Sequence, residues 1–197
     1  MAYSDQVFLN VTRSIDTDVT DTQSLITAEF TCLRQIRELV VFLRKYAPGF
    51  RNADLCSIQP WMGTRESRRI AGRKTVTETD LEKLPIPEDA VAITAYNVDI
   101  HGQDSGGMMM KVVEHGMGIP YGCLLPRDIE GLIMSGRTIS VDQTIFAMTR
   151  IMATCLAVGQ AAGTAAGLSH TRGILPSQLN PIDLRNELSA AGAVIGI

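Results

Sequence analysis

The stretch Ser135–Leu168, SGRTISVDQTIFAMTRIMATCLAVGQAAGTAAGL, passes through a polar turn into a run crowded with glycine and alanine. Its periodicity predicts one long helix that starts between Thr144 and Ala147 and ends near Ser169. Gly159, Gly163 and Gly167 recur every fourth position, so they line one helix face, which Ala162 and Ala166 widen. A glycine inside a helix is about 0.5–1 kcal/mol less favourable than alanine, so three on one face predict a compensating close contact. Ile151–Leu168 is nearly free of charge. It is nevertheless at the short limit for a membrane span, carries Thr154, Gln160 and Thr164, and has no comparable companion, so no membrane is expected. Two compatible readings remain: a core helix packed tightly on a sheet, and a helix whose N-terminus faces an anionic or electron-rich ligand.

Upstream, GLIMSG (131–136) is a short apolar run bounded by glycines, the pattern of a strand buried on both faces. The preceding IPYGCLLPRDIEG reads as a proline-punctuated connection where the chain changes domain, which divides it into 1–126 and 127–197. AVAITAYNVDIH and GMMMKVVEH read as strands joined through the glycine-rich GQDSGG. From Asp21 to Tyr46, Leu25, Phe30, Leu33, Ile36, Val40 and Leu43 recur at helical spacing between charged residues, and Pro48-Gly49 stops the helix. TETDLEKL offers Thr77 as a cap with Asp80 three residues on, and a terminal helix is marked by Asn180, Pro181, Asp183 and Gly192. The fold class expected is α+β (mixed α/β).

With 197 residues, 45% of them hydrophobic, the chain has enough apolar surface for a real core. Its net charge of -3, from 18 basic and 21 acidic residues, gives no reason to expect nucleic acid or an anionic membrane as partner. Cys32, Cys56, Cys123 and Cys155 form no C-x-x-C pair and have no histidine at zinc-finger spacing, so they read as reduced thiols. The N-terminal residues lack a basic segment followed by an apolar one, which points to the cytoplasm.

Several ordered segments together resemble the FAD-dependent oxidoreductases related to the fumarate reductase and glutathione reductase flavoproteins. They are NVTRSIDTDVTDTQSLITAEF, GTRESRRIAGRKTVTETDL, AYNVDIHG, GIPYGCLLP, GLIMSGRTIS and RIMATCLAVGQAAGTAA, and they run from about Asn10 to Leu168. The resemblance implies that residues 1–126 are the substrate-side region, a β-sheet with helices. Residues 127–197 would then be the last strand and glycine-alanine helix of an FAD-binding domain. It implies that Gly136 and Arg137 lie near the cofactor's ribityl and pyrophosphate, that Ser140 is also near the cofactor, and that the helix start around Ala147–Met152, with Arg150, Ile151 and Met152, faces the pyrimidine side of the flavin. Hydride transfer builds negative charge near N1 and O2, which helix N-terminal amides stabilise.

Such flavoproteins open with a strand, a G-x-G-x-x-G turn and a helix that bind the ADP half of FAD. No such unit is present: in GMGIPYG the glycine spacing is wrong and Pro120 stands where a helix should begin. The expectation is therefore the C-terminal part of a flavoenzyme, binding FAD weakly or not at all without an N-terminal half or subunit. The rival expectation is a non-catalytic module that docks on a partner or self-associates as a homo-oligomer.

On the substrate side, GTRESRRIAG gathers Arg65, Arg68 and Arg69 around Glu66. Such a cluster is either a solvated, ion-paired loop or a grip for a small anionic substrate, with Arg65 or Arg68 binding a carboxylate bidentately. Asp99 and His101 fall two residues apart and would share one strand face, so His101 is either a satisfied histidine or the base that moves a proton. No metal site is expected, since Asp99, His101 and His115 lack a further ligand at recognisable spacing. Tyr121 fits a stacking lid or plain packing equally well, and Cys123 and Cys155 read as core.

Overall fold

Asp21 ends an extended lead-in and starts the longest helix, because its carboxylate accepts the Ser24 N–H at 2.7 Å. In the computed structural model, which describes residues 5–81, 86–101 and 108–196, this helix, α1, spans Thr22–Tyr46. Ala47 leaves it in an extended conformation, as the residue before Pro48 must. The chain divides into two compact units between Ser67 and Arg68. In the first, the Gln35 amide accepts the Arg13 N–H and donates to the Arg13 carbonyl, both at 2.9 Å, which ties the lead-in to one side of α1. Arg44 donates to the Ala53 carbonyl at 2.8 Å and pairs with Asp54, closing the other end. Among the described residues of this unit only Ala28 is buried.

The second unit holds the core. Strand β1 (Ala90–Thr94) pairs antiparallel with β4 (Met117–Pro120), and β2 (Val98–His101) pairs antiparallel with β3 (Met108–Lys111). The segment expected as one strand is thus two, because the chain changes sheet partner between Thr94 and Val98. Residues 102–107, the glycine-rich link expected between β2 and β3, lie outside the described residues. Gly118 sits where a Cβ would come within 2.7 Å of both Ala90 Cβ and Ile86 Cγ2, so only glycine allows this approach. The proline-punctuated connection runs through the core: Ile119, Tyr121, Cys123 and Leu124 are almost completely buried. Its backbone groups find partners on either side, Gly122 and Leu125 carbonyls accepting from Lys74 and Arg73, and the Cys123 carbonyl from Ser140. That satisfaction is what permits an irregular segment inside a core.

GLIMSG is not a strand. Met134 N–H donates to the Leu124 carbonyl at 2.8 Å, but 131–135 runs irregularly with Leu132 exposed, since no strand among the described residues lies beside it. The single long helix is likewise two: α2 (Gln143–Thr149) and α3 (Met152–Arg172), set at 91°. Asp142 caps α2, its two carboxylate oxygens accepting Ile145 N–H at 2.8 Å and Glu78 N–H at 2.6 Å. At the far end Thr94 donates to the Met148 carbonyl at 3.1 Å and Cys155 donates to the Thr149 carbonyl at 3.4 Å. The last carbonyls of α2 therefore have side-chain partners, and the helix can stop inside the core. Among the described residues no single helix is long and apolar enough to cross a membrane.

Helix α3 packs on β1 and on α4 (Pro181–Ala190), burying the line Thr154, Val158, Ala161, Ala165 and Ser169. Among the described residues the glycine face makes no close contact: a methyl group added at Gly159, Gly163 or Gly167 would meet none of their atoms within 4 Å. The small residues facing the core are alanines, and the glycines turn the other way. Helix α4 starts at Asn180, whose side chain accepts the Ile182 N–H at 3.0 Å, with Pro181 at its first position. Residues on both sides of 126, such as Leu124 and Ile139, belong to one core.

Thr94→Val keeps the shape of the side chain and leaves the Met148 carbonyl and the Thr154 hydroxyl without a buried partner, so urea unfolding should show a loss of about 1–3 kcal/mol. Gly163→Ala should instead raise stability by roughly 0.5–1 kcal/mol in the same assay, because the glycine is helical and its face is open. Burial pushes the Tyr121 hydroxyl and the Cys123 thiol each up to about 12. Both are neutral when folded, so the stability tied to them is complete below their unfolded pKa values and is lost as pH rises toward 12. Absorbance at 295 nm should show Tyr121 ionising only together with alkaline unfolding.

Candidate functional site

The polar turn before α2 is built around Gly136, whose φ of +66° is a conformation that side chains disfavour. It opens a 3-10 turn over Gly136–Thr138, fixed by Thr138 Oγ1 donating to the Ser135 carbonyl at 2.9 Å. The Thr138 carbonyl accepts the Ile70 N–H at 3.0 Å, which docks the 68–72 segment on this turn. The turn packs against α3, and the Arg137 charge reaches the Cys155 thiol in the first part of that helix. Burial raises the Cys155 pKa, and Arg137 opposes the rise.

The residue at the N-cap of α3 is Ile151, extended and without a side-chain oxygen, so no side chain of its own caps the first N–H groups. Met152, the first helical residue, is 84% exposed. Arg150 ends α2, its N–H donating to the Phe146 carbonyl at 3.0 Å. The structure thus brings Gly136, Arg137, Arg150, Ile151 and Met152 to one corner, where a turn meets the positive end of a 21-residue helix.

Ser140 lies behind that corner. It is buried, its hydroxyl accepting the Gly72 N–H at 3.0 Å and sharing a hydrogen bond with the Thr75 hydroxyl at 2.7 Å. A Cβ on Gly72 would stand 2.5 Å from Ser140 Cβ, so the Gly72 backbone lies directly against the Ser140 side chain. Ser140 therefore joins 72–75 to the turn.

Of the arginines, Arg65 is exposed in the first unit and Arg68 is exposed in the second. Arg69 is the one at the corner: its guanidinium lies 5.1 Å from the ring centroid of buried Phe146, on α2. Arg69 directly precedes Ile70-Ala71-Gly72, the segment that pairs with the turn, a long-range contact that the sequence does not signal. His101 is the last residue of β2, opposite Met108, and Asp99 is opposite Met110.

Tyr121 is not a lid. It is buried and its hydroxyl donates to the Pro176 carbonyl at 3.0 Å, so packing is its role. All four cysteines are free thiols, Cys123 buried and Cys155 half-buried. Among the described residues no group of three His, Cys, Asp or Glu could hold a metal ion.

A family model described as FAD dependent oxidoreductase matches residues 3–188, which takes in both units and the whole corner. No curated protein and no solved structure matches the chain. On that match, the chain belongs to the FAD dependent oxidoreductase family.

Proposed function

We propose that the chain carries the substrate side and the isoalloxazine side of a flavoenzyme that moves two electrons to or from a small organic substrate. The observation that supports this most is the corner itself: a positive-φ turn bearing Arg137, packed on the side-chain-uncapped start of α3. Guanidinium, first-turn N–H groups and the helix dipole suit the electron-rich pyrimidine edge of a flavin. FAD, when bound, supplies the two-electron acceptor. Arg137 and the 150–152 segment would hold the electron-rich edge of the group, and Ser140 keeps the turn in place through Gly72. Arg68, or Arg65, binds a substrate carboxylate, and His101 takes the proton that leaves as the hydride departs.

The sequence carries no strand–G-x-G-x-x-G–helix unit to hold the ADP half. The string that comes nearest to a dinucleotide turn, 116–122, contains β4, and its Gly118 lies close against Ala90 and Ile86. The ADP half of FAD therefore depends on a strand–G-x-G-x-x-G–helix segment that is not part of this sequence. The open stripe of Gly159, Gly163 and Gly167 beside exposed Leu156 favours a second reading, a docking subunit without chemistry of its own.

Visible absorbance after FAD is added and the excess removed separates these readings. The chain alone should stay nearly colourless, whereas co-expression with an ADP-binding segment should give a yellow complex. Arg137→Ala in that complex should lower FAD affinity at least several-fold. A stable but colourless complex would support the docking subunit instead, and tight FAD binding by the chain alone would overturn the dependence on a second segment.

A further inference from the structure

Two neighbouring residues reach two different elements of the corner. The guanidinium of half-buried Arg69 lies over the ring of Phe146, 5.1 Å from its centroid. Phe146 is a fixed point, since its side chain is buried in the core and its carbonyl accepts the Arg150 N–H that ends α2. The next backbone N–H, that of Ile70, donates to the carbonyl of Thr138, the last residue of the Gly136–Thr138 turn. Arg69-Ile70 thus spans from α2 to the turn that carries Arg137. A planar guanidinium suits this task, because it stacks on an aromatic face as the compact ammonium of lysine does not. The turn itself opens on a glycine of positive φ and is closed by Thr138 Oγ1 on the Ser135 carbonyl, so where it sits depends on what it is docked to.

We propose that Arg69 is a positioning residue for Arg137: its stack on Phe146 holds the Gly136–Thr138 turn so that the Arg137 charge stays at the start of α3. The consequence for flavin rests on the reading of this corner as the cofactor's pyrimidine edge, whereas the placement of Arg137 does not. On that reading Arg69 acts without touching flavin or substrate, a role apart from the carboxylate grip of Arg65 or Arg68. The stack adds a side-chain attachment to α2 beside the backbone bond to the turn, and so ties the turn to the same helix whose end sets the start of α3.

Cys155 reports the position of Arg137 in the chain without any flavin, because Arg137 opposes the rise that burial gives its pKa. The measurement is the rate of Cys155 alkylation by iodoacetamide against pH, followed by mass spectrometry of its peptide over the range in which the chain stays folded. Arg137→Ala should move the profile to higher pH. Arg69→Ala should move it in the same direction by a comparable amount, and should add nothing in the Arg137→Ala background, since one residue then acts through the other. Arg68→Ala, at the exposed neighbour, should leave it in place. Phe146→Leu keeps every charge and removes the ring, so it should reproduce the Arg69→Ala shift, and it decides the matter if Arg69→Ala does not fold. A profile that neither Arg69→Ala nor Phe146→Leu moves, or that they move to lower pH, overturns the proposal. So does a shift that persists without Arg137, because Arg69 then acts on the thiol directly, and so does an Arg137→Ala profile that matches the wild type. Flavin plays no part in this readout, so a complex that never turns yellow would sink the flavin reading and leave the placement of Arg137 standing.

Discussion

Two buried hydroxyls hold the corner on which the second unit is built. Thr154 on α3 donates to Thr94 on β1 at 3.0 Å, and Thr94 donates to the Met148 carbonyl of α2 at 3.1 Å. Without such partners a helix end in the core would strand carbonyls at a cost of about 1–3 kcal/mol each. With them, the chain turns through 91° between Thr149 and Met152 without exposing backbone to an apolar surround. The corner fixes the start of α3, and with it where the helix dipole ends.

Around that corner, contact is made by backbone and by very small side chains. Gly72 meets Ser140, Gly118 meets Ala90 and Ile86, and Ala161 and Ala165 carry α3 down onto β1. A sheet of only two strands, β1 and β4, is then enough to anchor two helices, because each helix approaches it closely. Larger aliphatic and aromatic residues, Ile139, Ile145, Phe146, Leu184 and Leu188, fill what remains.

What the sequence made legible was mostly local. Asp21, Thr77 and Asn180 have caps whose partners lie within three residues, and α1 and α4 begin where those residues stand. The break at Arg150-Ile151 was hidden because neither residue is a helix breaker; the interruption depends on Thr94, more than fifty residues away in the chain. GLIMSG looked like a buried strand by composition, yet a strand requires a neighbour, and composition does not supply one. The glycine stripe was legible as a face but not in its direction, since glycine toward a tight contact and glycine toward open space have the same period. At the candidate site, Gly136 and Arg137 were named through the family resemblance, whereas Arg69 reaches the turn only through the long-range pairing of Ile70 with Thr138.

The electrostatics of the corner rest more on side chains than on the helix. A helix end is equivalent to about half a positive charge however long the helix is, and the effect fades within a turn. Arg137 contributes a whole charge, and it opposes the rise that burial gives the Cys155 pKa in the first part of α3. Arg150 sits at the same break, and Arg69 stacks on Phe146 one turn before it. In a chain of net charge -3 this concentration of guanidinium groups is local rather than a reflection of overall composition. The positive charge at the corner therefore follows from where the Ile70–Thr138 bond and the Thr154–Thr94–Met148 relay place three arginines, with the dipole as the smaller part.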